Sequence, residues 1–452
     1  MTRTPLLILG GGLAGLAAAR FAPHDHLVLE SGATAGGHLR SDRWAGAVWD
    51  QGPHVSFTKH KVVRELLSAD LGSSLVEFYS VVENHDDGSW FPHPVQSHLY
   101  ALPEQIRSAI ASDFAQRPEA LGTNYKDWLL SAYGTTLAER YMARYTRKYW
   151  TCAPEILGQD WVGHRLTRPD PAALAASLAG PPALNTHYVQ GVRYPRSGGF
   201  ERCMDGFLQS ANVQSGTEVT GIDLDRMCVS TSRGLMAADR LVCAIPLPVF
   251  VKRCLQADDR TREAASRLRC TSLWLVDVVA PHPRRRGFHW AYVYDESMLS
   301  TRLTHMDALS AGNAPEGSCA IQVEVYESAY RALRLDADEI RRRVVGELGR
   351  MGLIDAGTTA VSRIRRIPWA NVLFDQEQSG ALERIWEWAE RFGLVREPMD
   401  THPLTDWAAA TPLTSPLLAF AGRYAQWKYF WTDDCILRGM QLGGRSTAPA
   451  GP

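Results

Sequence analysis

The turn Gly10-Gly11-Gly12-Leu13-Ala14-Gly15 constrains this chain more than any other segment. It follows the apolar run Leu6–Leu9 and opens a small-residue helix from Leu16 to Arg20. A second apolar run, Leu27-Val28-Leu29, then ends at Glu30. Strand, glycine turn, helix, strand and acid in that order make the opening βαβ unit of a dinucleotide-binding fold. Gly10 permits the tight turn, Gly12 lets the backbone approach a pyrophosphate, and Gly15 lets helix pack close to strand. The phosphates then sit at the helix N-terminus, where free N–H groups and the helix dipole favour negative charge. Glu30, twenty residues after Gly10, is placed to accept hydrogen bonds from ribose hydroxyls.

The rest of the composition narrows the class. Of 452 residues, 45% are apolar and 21% charged, enough to bury a sizeable core. With 48 basic and 49 acidic residues the formal charge is −1, so neither nucleic acid nor an anionic membrane is an expected partner. The apolar run Leu241–Val251 holds two prolines and falls far short of the ~20 residues of a spanning helix. The N-terminal stretch runs straight into glycines and does not read as a signal peptide. Eight cysteines are scattered without a C-x-x-C pair, which suits a cytoplasmic protein with no disulfide framework and no metal site. Asp433-Asp434 reads as a solvated loop. Only six of the 48 basic residues are lysine, and none lies between Lys252 and Lys428.

Along the chain, helical signals run from Leu102 to about Arg165, and Gly180-Pro181-Pro182 marks a boundary. Short strands return from Tyr188 to Val251, with Arg240–Pro246 reading as a buried strand. Residues 271–328 alternate as antiparallel strands. Leu335–Met351 and Leu382–Phe392 read as helices, Leu417–Gly422 as a strand, and Ser446–Pro452 as a frayed tail. The expected fold class is α/β: a discontinuous Rossmann-like domain with an inserted helical lobe and an antiparallel substrate sheet. The expected segments are 1–85, 184–255 and 401–452 for the nucleotide domain, 86–183 for the helical lobe with a mobile flap, and 256–400 for the sheet.

Several motifs resemble known flavoproteins. The glycine pair Gly36-Gly37, soon after Glu30 and followed by Arg40, is similar to FAD-binding two-dinucleotide-domain proteins and favours FAD over NAD. Five stretches in order resemble the UDP-galactopyranose mutase family within the amine-oxidase-like flavoproteins. They are Asp50-Gln51-Gly52-Pro53-His54, Trp90-Phe91-Pro92-His93-Pro94-Val95-Gln96, Arg144–Trp150 with Trp161–Arg165, Tyr292 with Arg302, and Gly422–Tyr429. The resemblance implies cofactor contacts from Gly37, Arg40, Gly52, His54 and Arg423. It implies that Gln96 meets the base, Trp150 the phosphate or ribose, and Arg165, Tyr292, Arg302 and Tyr429 the diphosphate. Three positions depart from the family pattern: Asn371 falls where a tyrosine is expected, His93 at the base-stacking aromatic, and Thr146 where the helical motif has an asparagine.

The chemistry so implied is a pyranose–furanose isomerisation of a nucleoside-diphosphate sugar. Reduced FAD supplies N5 as nucleophile at the anomeric carbon, with NAD(P)H as external reductant. His54, Arg165 and Arg302 are the candidate catalytic residues. Planar guanidinium groups suit phosphate oxygens through paired hydrogen bonds, and tyrosine hydroxyls add donors without adding charge. His54 is expected to balance charge by changing protonation near neutral pH. The alternative is an FAD-dependent oxidase or dehydrogenase of the amine-oxidase-like group, many of which place a lysine beside the flavin from the substrate sheet. A third reading is a non-catalytic FAD-binding scaffold.

Overall fold

In the computed structural model, Leu7, Ile8 and Leu9 are fully buried at the centre of a parallel sheet. The strand Thr2–Leu9 runs between His26–Leu29 and Gly234–Cys243, parallel to both. A strand covered on both faces reads as a continuous apolar run, and this one does. The structure describes residues 2–22, 25–119, 122–163, 166, 168–182, 191–281, 287–355, 360–396 and 417–443.

The sheet continues outward through Val213–Gln214 on one side. On the other, Gly234–Cys243 pairs by its first half with Cys228–Thr231, which pairs with Val219–Asp223. By its second half it pairs with Leu418–Phe420, so the last strand returns to the first sheet. The helix Leu13–Phe21 packs against the C-terminal helix Thr432–Leu442, where a Cβ on Gly439 would come within 2.5 Å of Ala17 Cβ. The Rossmann-like domain is therefore discontinuous.

The second sheet runs in the order Val361–Ile367, Ser272–Pro281, Ser318–Glu327, Arg302–His305, Trp290–Val293, Val82–Asp86 and Ser89–Pro92. Neighbours are antiparallel, except that Trp290–Val293 and Val82–Asp86 are parallel. Val82–Asp86 and Ser89–Pro92 belong to this sheet, which a boundary at 85/86 does not anticipate. The helix Ala337–Arg350 presents Ile340, Val344 and Leu348 at four-residue spacing to the sheet, burying them with Val276, Val278 and Val323. The Asp336 side chain accepts from Glu339 N at 2.8 Å and so satisfies one free donor at the helix start.

A helical lobe completes the architecture: Glu104–Ala115, Tyr125–Tyr133, a continuous run from Thr135 to Tyr149, and Pro171–Ala179. Residues Ala138–Ala143 of that run are wound as a π-helix, a form often found beside functional sites. Asp433 and Asp434 are not in a solvated loop. They are buried in the first turn of Thr432–Leu442, and Asp434 Oδ2 accepts from Trp431 N at 2.7 Å. A carboxylate there meets the free amides of the helix start, which the sequence pattern alone did not reveal. Among the described residues, no helix is long and apolar enough to cross a membrane. The tail from Ser446 and the boundary at 400/401 lie outside the described residues.

Candidate functional site

One cavity of about 650 Å³ runs from the glycine turn, between the two sheets, to the helical lobe. At one end it is bounded by Gly10, Gly12, Glu30 and Gly37. Gly10 takes φ +104°, which a side chain would strain, and a Cβ on Gly15 would run into the Gly10 carbonyl oxygen. Gly15 does not line the cavity; it lets the helix sit tight on the turn. The second glycine pair docks on the first turn, with Gly36 N donating to Gly11 O at 2.7 Å. Glu30 Oε2 accepts from Gly11 N at 2.9 Å, and Oε1 accepts from Gly32 N at 2.6 Å and Ser31 Oγ at 3.4 Å, so a lone pair on Oε2 remains for a further donor. Arg40 is not among the cavity-lining residues. Its stem crosses Gly36, where an added Cβ would meet Arg40 Cγ at 2.6 Å.

His54 lines the middle of the cavity, with its Nδ1 buried and without a hydrogen-bond partner. Burial first, then the nearby His38, Arg423 and Arg302, pull its pKa down to about 3. That direction favours the neutral imidazole and runs opposite to the expected proton switch near neutrality. A second histidine, His38, edges onto the Tyr424 ring at 5.4 Å, and burial pulls it down to about 4. Just before His54, buried Asp50 accepts from Ser41 Oγ at 2.6 Å, Phe200 N at 3.0 Å and Tyr194 OH at 2.9 Å. Its carbonyl accepts from Gln322 and Arg365 of the second sheet, at 3.0 and 3.1 Å.

At the far end, Tyr292 and Arg302 are direct register partners on neighbouring antiparallel strands, and both line the cavity. Arg302 forms a two-pronged pair with Glu324, Nε to Oε2 at 2.8 Å and Nη2 to Oε1 at 2.5 Å. Tyr326 OH donates to the same carboxylate at 2.8 Å. Glu324 is 1% exposed, whereas the Arg302 side chain keeps 25% of its surface open. Sequence reasoning missed Glu324, although a carboxylate inside the apolar run Cys319–Val325 was itself a signal.

A chain of hydroxyls lies beside this pair. Tyr149 OH is 3.2 Å from Tyr429 OH and donates to Asn371 Oδ1 at 3.3 Å, while Arg423 Nη1 approaches the same oxygen at 3.4 Å. Asn371 therefore lines the cavity as an acceptor that gathers Tyr149 and Arg423. Arg423 also donates twice to the Phe430 carbonyl, at 2.8 and 2.6 Å. Trp150 is 5% exposed and packs among Tyr149, Trp161, Phe374 and Tyr429, so it serves as core while still touching the cavity.

Gln96 and His93 line the remaining wall. Asn84 Nδ2 donates to Pro92 O at 2.9 Å, which turns its Oδ1 toward His93 Nδ1, also at 2.9 Å. The His93 proton therefore sits on Nδ1, and the ring leans on Tyr292 at 4.5 Å. Arg165 lies outside the described residues. Among the described residues, no lysine lines the cavity, and no cluster of three metal-ligating side chains occurs.

A glycine turn at a helix start, an acid closing the second strand, and one cavity shared with an antiparallel sheet define a dinucleotide-binding fold. The chain belongs to the flavin containing amine oxidoreductase family, which matches residues 13–441. FAD is the cofactor that this fold holds. Solved structures agree on the fold. A reduced UDP-galactopyranose mutase superposes with a TM-score of 0.86 at 18% identity, over 97% of this chain and 93% of that one. A putative protoporphyrinogen oxidase from Exiguobacterium sp. 255-15 gives 0.74 at 16% identity, over 98% of both chains. A putrescine oxidase bound to putrescine gives 0.60 at 15% identity, again over 98% of both.

Proposed function

We propose that this protein is a flavin-dependent mutase that interconverts the pyranose and furanose rings of a nucleoside-diphosphate sugar. The observation that carries this reading is the cross-strand Tyr292–Arg302 pair facing the Tyr149–Tyr429 hydroxyls, in the same cavity as the glycine turn. Four groups suited to phosphate and sugar oxygens converge there. The chamber holds no lysine among the described residues, so the amine-oxidase feature is missing.

In this reading the Gly12 amide and the N-terminus of Leu13–Phe21 hold the FAD pyrophosphate, since Gly10 N and Gly11 N already donate to Leu29 O and Glu30, and Glu30 holds its ribose. The unpartnered His54 Nδ1 is a polar atom ready for the cofactor, and Arg423 borders the same space. Reduced FAD, when bound, supplies a nucleophilic nitrogen for the anomeric carbon. The protein positions the sugar and holds the leaving diphosphate, mainly by charge and orientation. Arg302 keeps its Nη1 edge for a phosphate oxygen while Glu324 fixes the other edge and so orients the fork. Neutral His54 adds no charge beside the cofactor. Gln96 and His93 face the base, with Asn84 fixing the His93 tautomer. Arg165 is assigned to the diphosphate through the motif that contains it.

A second reading follows from the Arg302–Glu324 pair. The two charges cancel, and the surrounding wall is mostly aromatic, which favours a less charged substrate of an oxidase. One assay separates the two. Dithionite-reduced protein is offered UDP-, GDP- and dTDP-hexoses under anaerobic conditions, and products are resolved by chromatography. A furanose product formed without net consumption of NAD(P)H supports the mutase; flavin bleaching by an amine or polyene, with peroxide on admission of air, supports the oxidase.

A further inference from the structure

Lys148 is 1% exposed and is not among the residues that line the chamber. It precedes Tyr149 and Trp150, which do line it. Its ammonium donates to the carbonyl oxygens of Asp295 and Ser300, at 2.6 and 2.7 Å. The same loop is gripped from the other side by Glu347, on the helix Ala337–Arg350. Leu299 N donates to Glu347 Oε1 at 2.7 Å and Ser300 N to Oε2 at 2.9 Å, and the Ser300 hydroxyl donates to Oε2 as well. The amide, hydroxyl and carbonyl of Ser300 are thus all held by two buried side chains of opposite charge.

Ser300 is two residues from Arg302. Between them, Thr301 N donates to the carbonyl of Glu324 at 2.8 Å, and Glu324 in turn receives the Arg302 fork. The other charges around Lys148 are already engaged. Glu296 pairs with Arg147 at 2.7 Å, Asp86 pairs with Arg140 and Arg144, and Asp295 accepts from Ser297 N at 2.8 Å. Arg331 donates to the Tyr326 carbonyl at 3.1 Å and to the Lys148 carbonyl at 3.4 Å. Of the carboxylates that act on the ammonium, Glu347 acts most strongly and Asp295 next.

We propose that Lys148 is a positioning residue: opposed by Glu347 across the Asp295–Ser300 loop, it fixes Arg302 relative to Tyr149 and Trp150. The proposal rests on reading Arg302 as the ligand-facing cation. Burial, the largest influence, brings the ammonium down to about 7 against the pull of Glu347 and Asp295. A neutral amine still has two N–H donors, but it loses its attraction to Glu347 and the added strength of charged hydrogen bonds. The lock is therefore full below neutrality and weakens as pH rises through the Lys148 midpoint.

With only six lysines in the chain, carbon-13 labelling of the lysine ε-carbon resolves each one by NMR, and the Lys148→Arg variant assigns the signal. Amide exchange of residues 295–302, corrected for its intrinsic pH dependence, is followed from pH 6 to 9 in FAD-loaded protein. Loop protection should fall across the Lys148 midpoint in the wild type, stay high in Lys148→Arg, and be low throughout in Lys148→Met. UDP affinity, measured by calorimetry, should fall by about tenfold over the same range and stay constant in Lys148→Arg. If protection tracks Lys148 but UDP binds at no pH, the positioning role stands and the nucleotide-sugar reading falls. Loop protection that does not follow the Lys148 midpoint, or a Lys148→Met protein with wild-type protection and affinity, overturns the proposal. Should both variants misfold, the two wild-type titrations decide by coinciding or not.

Discussion

At the glycine-turn end of the cavity, Gly10, Gly12, Glu30 and Gly37 all fall before residue 40, and three of the four carry no side chain. At the tyrosine end, Gln96, Tyr149, Tyr292, Arg302, Glu324, Asn371 and Tyr429 come from segments spread over more than three hundred residues. There the surface is side chain, and buried charges hold one another in place. The first end depends on the absence of side chains at a few positions. The second depends on strand register and on paired charges that would be costly alone. A generic cofactor site can be written locally, whereas a specific substrate site needs the whole fold.

The contrast can be tested from both ends. The largest expected effect is at the glycine turn. In Gly15→Val the new side chain drives into the Gly10 carbonyl, with an overpacking cost of about 3 kcal/mol or more. Flavin should be lost on desalting, read from its visible absorbance, and the melting temperature should drop. A variant that kept full flavin content would show that the turn tolerates a side chain and would erase the distinction.

At the other end, Arg302→Ala should leave flavin content alone and weaken UDP binding by about 2–3 kcal/mol, allowing for the part of the arginine that is already open. Equilibrium titration with UDP reads this directly. If affinity were unchanged while flavin was lost, the two ends would not be separable as described.

The smallest effect lies at the seam, where Asp50 joins the Ser41–Asp50 hairpin to the second sheet through its carbonyl. Burial raises its carboxyl from 3.8 to about 6, despite three donors that favour the charged form. The folded state thus holds the proton more tightly than the unfolded one. Its stabilising contribution is complete below about pH 4 and is lost as pH rises through 6. Denaturant titrations from pH 4 to 7 should show a fall on the order of 2 kcal/mol in the wild type that is absent in Asp50→Asn. Equal slopes would mean that Asp50 is already ionised in acid.

Sequence spacing by itself determined the first βαβ unit, the acid at its end and the amphipathic helix Ala337–Arg350, while the Tyr292–Arg302 pair was legible only through its resemblance to a family motif. The first three rest on local rules: glycine at tight turns, an acid at a strand end, and apolar residues four apart. The Arg302–Glu324 fork, the Tyr149–Asn371–Arg423 contact, the neutral state of His54 and the grip of Lys148 on the Asp295–Ser300 loop were decided only by tertiary structure. The physical reason is that hydrogen bonds and pKa shifts depend on which groups meet and how far water is excluded. Both are set by strand register and helix docking across distant segments, which no local pattern encodes.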